Sequence, residues 1–259
     1  MSEVKAKKHL GQHFLTDKNI CKKIADGLLV NNKYKKVLEI GPGTGALTEF
    51  LLVRDEFETS VMDIDKESIA YLETNITELS GRIHDQDFLK WDPTSIYGSE
   101  SFAVAGNFPY NISSQILFKI LDHKDQIPEV VGMFQKEVAE RVAEGPGSKA
   151  YGIISVLLQT FYDIEYLFTV SEHVFNPPPK VKSGVIRLIR NERNEIGCEY
   201  KFFVKVVKLA FNQRRKTLRN SLKQVLNESN MDKSDEIFNK RPEQLSVEDF
   251  IKLAERLSA

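Results

Sequence analysis

Cysteine is scarce in this chain: Cys21 and Cys198 are the only two among 259 residues. They stand far apart and have no Cys or His at ligand spacing, which argues against a disulfide framework or a thiolate metal centre; two structural thiols are expected. The five histidines (His9, His13, His84, His123 and His173) form no zinc-type pattern, so no metal is expected. No apolar run reaches the roughly eighteen residues a membrane span needs. The start, Met1-Ser2-Glu3-Val4-Lys5, is followed by no apolar stretch, so no secretory leader is expected and the setting reads as cytoplasmic. Repeats and low-complexity tracts are missing too, which removes solenoid architectures. Net charge is nearly absent, at −1 with a pI near 6.6, and by itself announces no nucleic-acid partner.

What is present is a pattern of alternating elements. Val37-Leu38-Glu39-Ile40, Ser60 to Ile64, Phe102 to Gly106 and Val130 to Phe134 read as buried strands. Between them, Ala46 to Leu52 and Lys66 to Leu79 carry helical spacing of apolar residues. Alternating β and α elements predict an α/β fold with a mostly parallel sheet covered on both faces. Ile153 to Gln159 adds a helix, and Tyr162 to Val170 and Gly184 to Ile189 read as an antiparallel pair at the sheet edge. After about Glu195 strand signals stop, and Phe202 to Leu226 and Val247 to Leu257 read as helices. The expected division is a catalytic domain over 1–195 and a small α-helical C-terminal domain over 196–259, with a monomer as the default state.

A strand ending in Gly41-Pro42-Gly43-Thr44-Gly45-Ala46 and opening a helix is a device for nucleotide cofactors. Glycines permit the tight turn and let a ligand approach the backbone closely. Asp63 closes the next strand about twenty residues on, where a ribose hydroxyl needs a carboxylate acceptor. Asp65 competes for that role but belongs to the following turn. Asp87, in His84-Asp85-Gln86-Asp87-Phe88, can accept from an adenine amine with Phe88 against the ring; a solvated loop or helix cap is the plainer reading of Asp85 and Asp87. The turn and its acid suit NAD almost as well as S-adenosylmethionine, and alone they do not choose between them.

Asn107-Phe108-Pro109-Tyr110 follows a buried strand, at the sheet edge where open α/β folds place ligands. Methylating an aromatic amine requires its delocalised lone pair to be turned toward the electrophile. Two acceptors holding the amine hydrogens favour that geometry, and the Asn107 side-chain oxygen and the Phe108 carbonyl can supply them. Pro109 stiffens the turn, and Tyr110 can stack on an unpaired base. In isolation the same four residues are ordinary turn chemistry. Behind a glycine-rich cofactor turn they read as a methyl-acceptor slot.

The near-neutral average hides one asymmetry. Between Lys201 and Arg219 there are seven Lys/Arg and no Asp/Glu. On a helical wheel Lys201, Lys205, Lys208, Asn212, Arg215 and Arg219 fall within roughly 80°. Arg214 and Lys216 widen that surface. A solvated helix face ordinarily mixes signs, so this stripe is expected to meet a phosphate backbone.

Taken together, these motifs resemble the ribosomal RNA adenine N6-dimethyltransferase family, in its bacterial small-subunit branch. The resemblance runs over nearly the whole chain, through Leu10-Gly11-Gln12-His13-Phe14-Leu15, Glu39 to Thr48, Gln86-Asp87, Asn107 to Ser113, Gln135 to Val138 and Phe175 to Ser183. It implies a Rossmann-like fold with S-adenosylmethionine as methyl donor. It implies cofactor contacts at His13, Leu15, Gly41, Asp63, Asp87 and Asn107, beside the Gly43 of the turn, and base handling by Asn107, Phe108, Pro109 and Tyr110. Phe175 is a candidate second wall for the base. The implied substrate is 16S rRNA in a 30S precursor, with two neighbouring adenosines of the 3′-terminal hairpin each dimethylated. His13 stands where the family commonly has Asn, Phe108 where it has Leu, and Asp63 where it has Glu. The alternatives are the related 23S rRNA methyltransferase of macrolide resistance, a DNA adenine methyltransferase, and a non-catalytic ribosome-assembly factor on the same scaffold.

Overall fold

The structure, a computed structural model, describes residues 4–30, 32–229 and 231–258. Met1 to Glu3, where the leader expectation begins, lie outside the described residues. In chain order the strands are β1 (Phe14–Leu15), β2 (Lys36–Ile40), β3 (Glu58–Asp63), β4 (Ile83–Asp85), β5 (Ala103–Asn107), β6 (Glu129–Gln135), β7 (Tyr162–Val170), β8 (Phe175–Asn176) and β9 (Ser183–Arg190). The helices are α1 (Lys18–Asp26), α2 (Thr48–Leu52), α3 (Lys66–Asn75), α4 (Thr94–Tyr97), α5 (Ser113–Asp122), α6 (Lys136–Ala143), α7 (Ile153–Phe161), α8 (Tyr200–Asn212), α9 (Leu218–Ser221), α10 (Lys223–Glu228) and α11 (Val247–Ser258).

The chain forms two compact units. The first comprises Met1–Ala139 and Ile164–Arg190, the second Glu140–Asp163 and Asn191–Ala259. The second is therefore wider than residues 196–259, because α7 groups with the C-terminal helices.

In the first unit seven strands run in the order β4-β3-β2-β5-β6-β9-β7. The pairs β4–β3, β3–β2, β2–β5 and β5–β6 are parallel, and β9 is antiparallel to β6. This is a mostly parallel, Rossmann-like sheet, as expected. β2, β5 and β6 are buried along nearly their whole length, as strands covered on both faces must be. β7 and β9 lie side by side at one edge, each close to its expected bounds. The order reverses at β2, with β3 on one side and β5 on the other, and open α/β sheets form their ligand crevice at such a point. Helix starts follow local chemistry: the Asp17 carboxylate accepts the amides of Asn19 and Ile20 to begin α1, and Asp65 accepts Glu67 N to begin α3.

In the second unit α7 is apolar almost all round, and it packs with α8 and α11. Phe211 of α8 stacks on Phe250 of α11 with ring centroids 5.7 Å apart. The single helix expected over Phe202 to Leu226 is corrected here. α8 ends at Asn212, a turn closes with Lys216 N on Gln213 O (2.7 Å), and two short helices follow. Asn212 to Thr217 contains no apolar side chain whose burial could fix another helical turn. Leu218 is instead buried separately, its amide donating to Lys240 O (2.9 Å). Arg215 and Arg219 are thus not on the helix that carries Lys201, Lys205 and Lys208, and the six-residue stripe does not exist as one helical face.

Candidate active site

The C-terminal ends of β2, β3, β4 and β5 open on one cavity. Its walls are Gly41 and Gly43 from the β2 turn, Asp63 and Ile64 after β3, Gln86 to Phe88 after β4, and Asn107 to Ile112 after β5. Residues 10–14 form its remaining wall. The two motifs read from the sequence therefore face each other across a common space. A smaller cavity adjoins it, lined by Leu15, Glu39 and Thr44, and the two share Phe14, Gly41 and Asn107. Of the predicted cofactor residues, His13, Gly41, Gly43, Asp63, Asp87 and Asn107 line the larger cavity, and Leu15 lines the smaller one.

Gly43 shows why the turn needs glycine. Its φ is 57°, and a Cβ there would lie 2.8 Å from the Phe14 ring. Asp63 is half-buried at the end of β3, its Oδ1 accepting from Ile64 N (2.7 Å) and Asp65 N (2.9 Å). Burial raises its pKa above the usual carboxylate value, while the amides of Asp65, Ile64 and Gly43 pull against that rise. Asp65 is nearly fully buried and is occupied by the α3 cap, Lys7 and Gln12. Of the two, only Asp63 lines the cavity. Asp87 lines it as well and also accepts Leu89 N (3.0 Å), so its turn-capping reading holds at the same time.

Asn107 is half-buried, and its Nδ2 donates to the His13 carbonyl at 2.9 Å. A carbonyl can only accept, so this bond assigns the nitrogen to His13 and leaves Oδ1 as the free acceptor. The Phe108 ring turns away from the cavity mouth into the core, against Phe134 (centroids 4.9 Å). Pro109 holds φ −56° beside the Gly41 turn. Tyr110 is held twice: its hydroxyl is 2.5 Å from Ser183 Oγ, and its ring stacks on His13 with centroids 5.4 Å apart and planes 28° apart. His13 Nδ1 in turn donates to Pro177 O (2.8 Å). Ser183, fully buried at the start of β9, closes the Phe175 to Ser183 motif, but its role with Tyr110 is not legible there because the sheet order brings the two hydroxyls together.

Phe175 is a second correction. It is 4% exposed, pairs with Leu15 across β8 and β1, and sits in the core with Val185 and Met133. Strand alternation turns Phe175 inward and Asn176 outward. Its ring does not line the cavity.

Glu39 lies below the glycine turn, 1% exposed, accepting a hydrogen bond from Thr48 Oγ1 at 2.6 Å. Burial pushes its pKa up to about 8, against the Thr48 bond, which lowers it. The folded protein therefore binds a proton here that the unfolded chain has already released between about pH 4.5 and 8. The stabilising contribution is complete below the unfolded value and is lost as pH rises through 8. Glu39→Gln keeps an acceptor for Thr48 without a charge. It is expected to flatten the fall in melting temperature between pH 5 and pH 8.5, a difference of a few kcal/mol at most (~1–4). Parallel wild-type and variant curves would remove Glu39 as the cause.

A family model described as ribosomal RNA adenine dimethylase matches residues 3–259. The chain belongs to the ribosomal RNA adenine dimethylase family. A ribosomal RNA small subunit methyltransferase A from Cytophaga hutchinsonii is 60% identical over 258 residues, covering 100% of this chain and 99% of that relative. The protein of the same description from Flavobacterium johnsoniae is 59% identical, covering 100% of this chain and 98% of the relative. Among solved structures, a dimethyladenosine transferase from Plasmodium falciparum superposes with a TM-score of 0.77 at 27% identity, over 93% of this chain and 96% of that one. The 23S rRNA methyltransferase ErmE gives 0.65 at 26% identity, over 95% and 100%. The fold and the enzyme class expected from the motifs are those of the family: an rRNA adenine dimethyltransferase on a methyltransferase sheet.

No helix among the described residues is long and apolar enough to cross a membrane. The described residues also contain no group of three or more His, Cys, Asp and Glu side chains placed to hold a metal ion.

Proposed function

We propose that this protein dimethylates N6 of two adjacent adenosines in the 3′-terminal hairpin of 16S rRNA, using S-adenosylmethionine, on a 30S precursor in the cytoplasm and as a monomer. The single observation that carries this reading is the free Asn107 oxygen at the edge of a cavity walled by the Gly41–Gly43 turn, Asp63 and Asp87. The donor set fits the cofactor: Asp63 offers a carboxylate oxygen for ribose hydroxyls, Asp87 accepts from the adenine amine, and Gly41 and Gly43 admit close backbone approach. When bound, S-adenosylmethionine supplies an electrophilic methyl group on a sulfonium.

The chain's own contribution is positioning. Asn107 Oδ1 and the Phe108 carbonyl accept the hydrogens of the target amine and turn its lone pair toward the cavity. Tyr110 offers a ring for the extruded base, already fixed in plane by Ser183 and His13. No strong base is needed, because the methylated nitrogen loses its proton readily. The shared description of relatives at 59–60% identity favours the small-subunit substrate; the 26% likeness to a 23S enzyme keeps the large-subunit alternative as a test outcome.

For RNA contact, Lys201, Lys205 and Lys208 project from α8 and are exposed, as are Arg215 and Lys216 of the following turn. Arg214 donates to Ser148 O (2.9 Å), and Arg219 to Lys233 O and Asn239 Oδ1, so these two also hold the helical unit together. Changing Lys201, Lys205 and Lys208 together to Glu is expected to weaken particle binding and flatten its logarithmic salt dependence by about 2–3. Binding with an unchanged salt slope would take α8 out of the interface.

The deciding assay supplies labelled donor and undermethylated 30S particles, then looks for N6,N6-dimethyladenosine. Label in the 3′-terminal hairpin supports the proposal. Label on 23S RNA selects the macrolide-resistance reading. Particle binding without any label selects the non-catalytic one.

A further inference from the structure

Asp65 plays no part in the reading above, yet it is built into the protein at some cost. Its side chain is 0% exposed, an unfavourable place for a carboxylate without partners. α3 supplies Glu67 N (3.1 Å) and Ser68 Oγ (3.3 Å). The other donors come from far away in sequence: Lys7 Nζ pairs with Oδ1, and Gln12 Nε2 donates to Oδ2 at 2.9 Å. Gln12 Oε1 accepts Lys7 N (2.8 Å), closing residues 7–12 into a small loop. Within it Gly11 has φ 68° and lies so close to Asn111 that a Cβ would stand 2.6 Å from Asn111 Oδ1. Immediately downstream, the His13 carbonyl accepts from Asn107, the Phe14 ring lies on Gly43, and Leu15 pairs with Phe175.

We propose that Asp65 is a positioning residue: through Lys7 and Gln12 it latches residues 7–15 across the cavity, and so places the His13 carbonyl that orients the Asn107 carboxamide. The inference rests on the reading of this cavity as the S-adenosylmethionine site. A carboxamide is nearly symmetric in shape, and which end faces the slot depends on where Nδ2 finds an acceptor. His13 O is that acceptor, and it stays in place only while the strap is closed. The strap also contributes residues 10–14 to the cavity wall, so the fraction of molecules with the latch made multiplies into the apparent cofactor affinity. A helix cap alone would need neither burial nor two partners more than fifty residues upstream.

Calorimetry with S-adenosylhomocysteine, on the full-length protein, tests this together with hydrogen exchange at residues 8–14. Lys7→Met and Gln12→Ala are expected to weaken binding about tenfold each, to add little when combined, and to speed exchange in the strap more than in the strands of the sheet. Asp65→Asn retains a cap acceptor and loses its own ion pair with Lys7, which still has Glu67 Oε1 at 3.3 Å, and is expected to shift affinity and exchange in the same direction as Lys7→Met. Wild-type affinity and wild-type exchange in the Lys7 and Gln12 variants would overturn the latch, whatever the fate of the Asp65 variant. Should the wild type not bind S-adenosylhomocysteine, the cofactor reading fails instead. Exchange in the unliganded variants then decides the latch alone: accelerated exchange supports it and unchanged protection overturns it.

Discussion

Replacing Asn107 with alanine is expected to lower turnover by about 10²–10³-fold, the usual loss when one preorganised transition-state hydrogen bond is deleted. Among the described residues its side chain makes one hydrogen bond, Nδ2 to His13 O, which leaves Oδ1 available to the amine in the proposed reaction. Particle binding should be retained, since no basic residue moves, and cofactor affinity should fall less than turnover does. Asn107→Asp refines the test. It preserves an acceptor but sets a carboxylate against the His13 carbonyl, so it too should be slow, and its cofactor binding should suffer more than that of the alanine variant. Single-turnover rates on undermethylated particles, beside calorimetric cofactor affinities, make the measurement. An alanine variant with wild-type rates would mean that the acceptor slot lies elsewhere.

The second large effect is expected at a residue with no chemistry. Gly132 of β6 lies directly beside Gly106 of β5 in the parallel register. A Cβ on Gly132 would stand 2.0 Å from Phe108 Cε2, and one on Gly106 would stand 2.7 Å from Ile40 O and 2.8 Å from Phe108 Cε1. The two glycines together make the recess that receives the Phe108 ring. Gly132→Ala therefore forces the ring out, in a core that has no spare room. It is expected to destabilise the protein by about 1–3 kcal/mol or more, and to slow methylation because the ring is attached to the backbone of the acceptor slot. Urea midpoints report the first effect and turnover the second. Adding Phe108→Leu, which shortens the side chain, should recover part of both losses. A Gly132→Ala protein as stable as the wild type would show that the ring is not seated as described.

Much of this protein is decided locally and is therefore legible in its sequence. A glycine turn after a run of branched apolar residues carries its own backbone geometry, and so do the alternating patterns that became β2, β3, β5, β6, β7 and β9. That is why the pattern by itself puts Gly41, Gly43, Asp63 and Asn107 at the ends of neighbouring strands in one sheet. The break between Asn212 and Leu218 is not legible in the same way. Wheel spacing assumes a helix continues, whereas burial of Leu218 and its amide bond to Lys240 decide where the chain turns.

Position at the end of a strand already favours Asp63 over Asp65 in the sequence; the tertiary structure adds what occupies Asp65, since Lys7 and Gln12 pair with it and not with Asp63. It also decided that Phe175 is core and not a wall, since the pairing of β8 with β1 turns it inward. The same holds for Ser183 beneath Tyr110 and for the recess under Phe108. Each depends on which distant strands become neighbours, and that choice is made by the burial of the whole sheet, not by the residues on either side of the one in question.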